Sequence, residues 1–151
     1  MNVIVKSPAE MPFATDLRLV FKSIDNLQLN YNWLITDLEC NYYPEELIGN
    51  DHFWLTGSEL TKIVNRDDIQ FIWGVFSGFL PDVEIDLSKP DDFPYADCNP
   101  GFWVPNPKIQ HPEAQIEIVC WDSTLTLFLA RDDYHSKKFM SYFSNAQLLG
   151  E

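Results

Sequence analysis

Seven prolines fall between residues 81 and 112, at positions 81, 90, 94, 100, 105, 107 and 112, and they restrict this chain more than any other feature. Proline has no backbone N–H to give to a ladder, and its ring clashes with the preceding helical turn. A stretch so rich in it forms neither a regular helix nor an interior strand. The segment, which begins PDVEIDLSKPDDFPYADCNPGFWVPNP, is therefore expected to be an extended, irregular excursion. The regular part of the fold has to come from the chain on either side of it.

On the N-terminal side, after a short lead, Leu17, Val20, Phe21 and Ile24 recur at helical spacing, which predicts a helix over residues 16–25 with Thr15 or Asp16 as its cap. Residues 29–39 alternate and are rich in aromatic and β-branched side chains, as a strand would be. Residues 52–55 predict a short strand. Residues 59–66 predict a helix capped by Ser58, with Leu60, Ile63 and Val64 as its stripe. Residues 69–79, IQFIWGVFSGF, are apolar on both faces, which marks a central strand covered on both sides. Gly74 and Gly78 in that run suggest a bulge or close packing.

After the excursion, residues 114–121 and 124–130 predict a hairpin. Asp122 and Ser123 lack the glycine favoured in the tightest turns, so the loop is expected to exceed two residues. A last helix is expected over residues 133–148, capped by Asp132 or Asp133. The order predicts an α+β fold in one domain over residues 1–151. About five mainly antiparallel strands would pack with about three helices, and the Pro-rich loop would precede a C-terminal hairpin and helix.

The chain has 151 residues and 15% aromatic side chains, enough to build a core without staples. Its three cysteines, Cys40, Cys98 and Cys120, are odd in number and widely spaced, so they do not read as a disulfide framework. The N-terminal stretch carries no secretory pattern, and no window approaches the ~20 apolar residues of a membrane span. A reducing cytoplasm is the expected location.

Net charge is −13 and is unevenly distributed. Residues 1–36 are net neutral, residues 98–151 carry −2, and residues 37–97 carry −11. A chain of this sign repels phosphate backbones and anionic membranes, so neither nucleic acid nor lipid is an expected partner. A basic protein is. Within the excursion, Asp82, Glu84, Asp86, Asp91, Asp92 and Asp97 alternate with or precede Val83, Ile85, Leu87, Phe93, Tyr95, Phe102 and Trp103. Carboxylates next to rings suit an interface with a cationic partner, where charge sets encounter rate and specificity and aromatics anchor. The expected partner-binding residues are Asp82, Glu84, Asp86, Asp91, Asp92, Phe93, Tyr95, Phe102 and Trp103. If the rings fold back on the core, the segment is instead a lid.

No motif dictates a chemistry. Asp97, Cys98 and His111, or Cys120, Asp122 and His135, do not match the paired spacing of a metal site, and no metal or cofactor is expected. The carboxylates Asp37 and Glu39 lie on one expected strand face, but paired acids are too abundant here to single out a catalytic pair. No phosphate-cradling glycine loop is present. The alternative to a binding domain is a small-ligand domain or a Cys/His-dependent enzyme. Its pocket would lie under the loop of residues 81–112, lined by Trp54, Trp73 or Trp103 and served by Cys40, His52 or His111.

The runs Cys40-Asn41-Tyr42-Tyr43-Pro44 and Asn99-Pro100-Gly101-Phe102-Trp103, with FIWGVFSGF and IVCWDSTLTL, make the whole chain resemble a small family of uncharacterised bacterial proteins of this length. That resemblance implies no activity. In type rather than motif, the chain is also similar to the immunity proteins of polymorphic-toxin and contact-dependent inhibition systems. Those are small, acidic, cytosolic α+β proteins that block basic toxins such as nucleases. This likeness implies a non-enzymatic inhibitor with a basic cognate toxin as partner.

Overall fold

A computed structural model describes residues 1–6 and 11–151. The chain builds β1 (Asn2–Lys6), α1 (Leu17–Ser23), β2 (Asn32–Cys40), β3 (His52–Thr56), α2 (Gly57–Arg66), β4 (Phe71–Phe79), β5 (Ile116–Trp121), β6 (Leu125–Ala130), α3 (Asp133–Tyr142) and β7 (Gln147–Leu148). All seven strands join one antiparallel sheet in the order β3-β2-β4-β5-β6-β1-β7. The fold is α+β with three α-helices, as expected, but the sheet has seven strands rather than about five. The two extra strands come from the chain ends. The lead forms β1 against β6, and the end of the expected last helix leaves the helix at Tyr142 and returns as β7 against β1. Of the lead, residues 7–10 lie outside the described residues.

The helices start where polar side chains satisfy their free N–H groups. Asp16 accepts from the Arg18 N–H at 3.0 Å, and Asp132 accepts from the Tyr134 N–H at 2.8 Å. The cap of α2 is Thr56, two residues before the expected Ser58. Thr56 Oγ1 accepts from the Glu59 N–H at 3.2 Å, and Glu59 Oε2 accepts from the Thr56 N–H at 2.7 Å. This reciprocal box lets α2 follow β3 without a loop. The first helical residue must be glycine, because a Cβ there would stand 1.9 Å from the Gln28 carbonyl oxygen.

Strand periodicity sends alternate residues to opposite sheet faces. One face, formed by Val3, Val5, Trp33, Ile35, Phe76, Ile118 and Phe128, is covered by the three helices through Phe21, Ile63 and Phe139. The Trp33 ring needs Gly78 beneath it, since a Cβ on Gly78 would lie 3.1 Å from the ring. The other face, with Leu34, Val75, Phe79, Val119 and Leu127, is covered by residues 81–112. β4 is thus apolar on both faces because both are covered. Between β5 and β6 three residues intervene, with Asp122 and Ser123 in the left-handed region, in keeping with a loop longer than two residues.

Candidate functional site

The Pro-rich segment is a lid laid on the second face of the sheet. It leaves β4 and runs along β2 and β3, with Val83, Ile85, Leu87 and Phe93 turned inward toward Leu34, Phe79 and Trp54. It then crosses to the far strands, where Phe102 meets Trp121 at 6.1 Å between ring centroids. It returns past Pro107, whose carbonyl accepts from Asn2 Nδ2, and His111 then packs edge-on against Phe79 at 4.8 Å. Only two single-turn 3-10 helices, Pro90–Asp92 and Pro100–Phe102, interrupt this path. The proline chemistry is obeyed: the segment holds its path without α-helix or strand.

Polar groups tether the lid to the sheet. β2 carries a bulge, for between the pairs Thr36–Val75 and Glu39–Trp73 the two residues Asp37 and Leu38 oppose the single Gly74 of β4. At the bulge Asp37 has φ +51°, a conformation that Asp tolerates better than most residues. The bulge aims the Asp37 carboxylate at the lid, where Oδ2 accepts from the N–H groups of Ala96 at 2.7 Å and Asp97 at 2.8 Å. Bulges often re-aim a side chain in this way. One position earlier, Thr36 Oγ1 donates to the Pro94 carbonyl at 2.6 Å.

The second tether is Glu117, a carboxylate with no exposed surface on β5. It accepts from the Gln110 N–H at 3.0 Å and from Gln110 Nε2 at 3.2 Å. Gln110 Oε1 in turn accepts from the Tyr95 N–H at 3.0 Å and from Asn99 Nδ2 at 2.9 Å. Burial without a cation pushes the Glu117 carboxyl up to about 7 against the opposing pull of these donors. Its cross-strand neighbour Ser77 is also fully buried, and its hydroxyl has no hydrogen-bond partner.

The structure divides the expected contact residues. Asp82, Glu84, Asp86, Asp91 and Asp92 are all exposed on the outer surface of the lid. Tyr95 and Trp103 are 47% and 46% exposed, Trp103 leaning edge-on against Trp121 at 5.0 Å. Phe102 is 1% exposed and Phe93 is half-buried against His52 at 4.9 Å. These two rings were expected at the interface but pack inward, Phe102 on Trp121 and Phe93 on His52, because the irregular backbone turns them toward the sheet.

Ion pairing differs sharply across the molecule. The helices hold Arg18, Arg66 and Lys138, which pair with Asp16 and Asp68, with Glu46 and Asp67, and with Asp25 respectively. On the lid only Asp86 has a cation, Lys89 at 3.7 Å. Among the described residues none of Asp82, Glu84, Asp91 and Asp92 has an ion-pair partner.

The residues of the alternative reading stay apart. Cys40 Sγ donates to the Tyr42 carbonyl at 3.1 Å, and burial pushes its thiol up to about 11, away from a reactive thiolate. His52 pairs with Asp51 at 2.6 Å, and its strand partner is Thr36, not Cys40. His111 lies against Phe79 instead. Over Leu34 and Phe79 the lid packs its own side chains, while two open cavities of about 480 Å³ and about 380 Å³ lie where residues 102–109 meet β1 and residues 147–151; Trp103 lines the second, and none of Trp54, Trp73, Cys40, His52 and His111 lines either. Among the described residues no group of three or more His, Cys, Asp or Glu stands close enough to hold a metal ion, and no helix is long and apolar enough to cross a membrane.

Sequence reasoning missed Glu117 and Gln110 as tethers, and it weighed Asp37 only as one of many acids. A signal for Glu117 was present: a lone carboxylate inside the apolar run IEIVCW. No family model, curated protein or solved structure matches the chain.

Proposed function

We propose that the protein is a non-enzymatic binding domain that captures a basic protein on the outer surface of its lid. Its most concrete form is an immunity-type inhibitor that covers the cationic surface of a cognate toxin such as a nuclease. The observation that carries this reading is the set of four exposed, unpaired carboxylates, Asp82, Glu84, Asp91 and Asp92, on a stretch that leaves β4 at one end and is tied to Asp37 through Ala96 beyond the other. Fixed charges with no internal partner keep their field for an incoming cation, which steers encounter and selects sign. Tyr95 and Trp103 supply exposed rings on the same segment, and because the lid is held by Asp37 and Glu117, little ordering entropy remains to be lost on binding.

The test is co-purification with the product of the adjacent gene. The tagged wild-type protein is expected to retain it at low salt and to lose it when Asp82, Glu84, Asp91 and Asp92 are replaced by their amides. Equal retention by the two proteins, or none by the wild type, refutes the reading.

A further inference from the structure

The sheet ends on two unlike edges. β7 has only two residues, while β3 has five and carries no lysine, proline or bulge, the usual devices that protect an edge. Hydrogen-bond parity says which β3 groups are free. The Gly57 N–H donates to the Tyr31 carbonyl at 2.8 Å, so residues 31 and 57 form a hydrogen-bonded position in the β2–β3 register. Such positions alternate in an antiparallel pair. Leu55 and Phe53 therefore bond to β2, while His52, Trp54 and Thr56 turn their main-chain groups outward. The Thr56 N–H is consistent with this, since it is taken by Glu59. No backbone partner is found for Trp54 on its outer side among the described residues.

We infer that β3 is a docking edge, and that an extended Lys/Arg-rich segment of the partner adds beside it as an eighth strand, centred on the N–H and C=O of Trp54. This rests on the binding reading above and names its geometry. Charge chooses the occupant. The lid lies on the sheet face beside this edge, with Val83, Ile85 and Leu87 in the same apolar cluster as Trp54 and Phe93 on His52. The unpaired acids of the lid therefore flank any strand laid alongside, and Asp51 and Glu59 bracket β3 in the sequence. A second copy would bring two chains of charge −13 edge to edge, which like-charge repulsion opposes. An extended basic segment meets both demands: main-chain groups for Trp54, and cations on alternate side chains for the lid.

The experiment uses the intact protein and a capped peptide of alternating Lys and Thr, about eight residues long and so long enough to span β3. A second peptide is methylated on the backbone nitrogens that would face the edge, which removes main-chain donors and keeps the charge. Affinity and Trp54 amide exchange are followed by NMR. The plain peptide is expected to slow exchange at Trp54, and methylation is expected to weaken binding at least about tenfold, equivalent to about 1.4 kcal/mol. Raising salt should weaken the plain peptide as well. If both peptides bind equally, strand addition is overturned while the acidic-surface reading stands. If neither binds at low salt, the inference is overturned, and co-purification with the adjacent gene product decides the binding reading separately. A Trp54 amide already protected without peptide, with sedimentation showing a dimer, overturns it in favour of a second copy.

Discussion

On one face of the sheet Phe128 stacks on Phe139 with centroids 4.7 Å apart, and Trp33 has no exposed surface. On the other, Glu117 is buried and reaches only amide groups, beside a serine hydroxyl with no partner. The helix face is held by apolar interdigitation, and Asp16, Asp25, Glu46, Asp67 and Asp68 on that side are matched by arginine or lysine. The lid face is held by smaller apolar clusters and by directed hydrogen bonds, and of its five outer acids between residues 82 and 92 only Asp86 has a cation among the described residues. The difference separates two tasks. A helical layer buries enough side chains to supply stability by itself. A lid of turns and single-turn 3-10 helices bonds only part of its backbone to itself, so the sheet offers Asp37 and Glu117 as acceptors and the Thr36 hydroxyl as a donor. Having been fixed from below, the lid is free to carry like charges above.

Substitutions on each face should break in correspondingly different ways. The largest effect is expected on the helix face: Phe128→Ala removes a fully buried, stacked ring and should cost about 3–5 kcal/mol of global stability in chemical denaturation. On the lid face, Glu117 should make stability depend on pH. Its carboxyl titrates near 4.5 when exposed and near 7 when folded. Between these values the native state holds a proton that the unfolded state has released, so stability falls as pH rises through this window and levels off above it. The total is about 3 kcal/mol at most, and Glu117→Gln should flatten the profile; a profile of unchanged slope would contradict the assignment.

Next, Asp37→Ala strips both lid amides of their acceptor and places alanine at a positive φ, at an expected cost of about 2–3 kcal/mol. Hydrogen exchange should quicken at Ala96 and Asp97 before it does in β5 and β6; simultaneous opening would mean that the lid and the sheet are one cooperative unit. Thr56→Ala should cost about 1 kcal/mol through the lost cap of α2. Smallest of all, amide replacement of Asp82, Glu84, Asp91 and Asp92 should change stability by about 0.5 kcal/mol or less per site, since these side chains are exposed and have no ion-pair partner among the described residues.

Alternation made β2 readable, a run apolar on both faces made β4 readable, the two runs about Asp122 and Ser123 made the hairpin of β5 and β6 readable, and the prolines made the lid readable, because all these signals are local. β1 and β7 were hidden for a physical reason. NVIVK is too short to outweigh the reading of a lead, and Gln147 and Leu148 are a strand only because β1 is beside them. The early end of α3 at Tyr142 follows the same logic, since the chain must turn back to reach that edge. The acids of the lid were visible as a charge excess, but nothing in the sequence told Phe102 from Trp103. One is buried on Trp121 and Ile4's cluster and the other is half in solvent, a difference set by which way an irregular backbone turns. Asp37 was unreadable as a tether because its partner amides lie some sixty residues away.

The central claim is that the lid's unmatched carboxylates are a binding surface while the helix face is scaffold. It is tested most directly by titrating the product of the adjacent gene against the wild-type protein and against the protein with Asp82, Glu84, Asp91 and Asp92 replaced by amides, with thermal melts in parallel. Binding is expected to weaken with salt and to fall by about tenfold or more in the variant, while the melting curves nearly coincide. Unchanged affinity in a folded variant would contradict the claim.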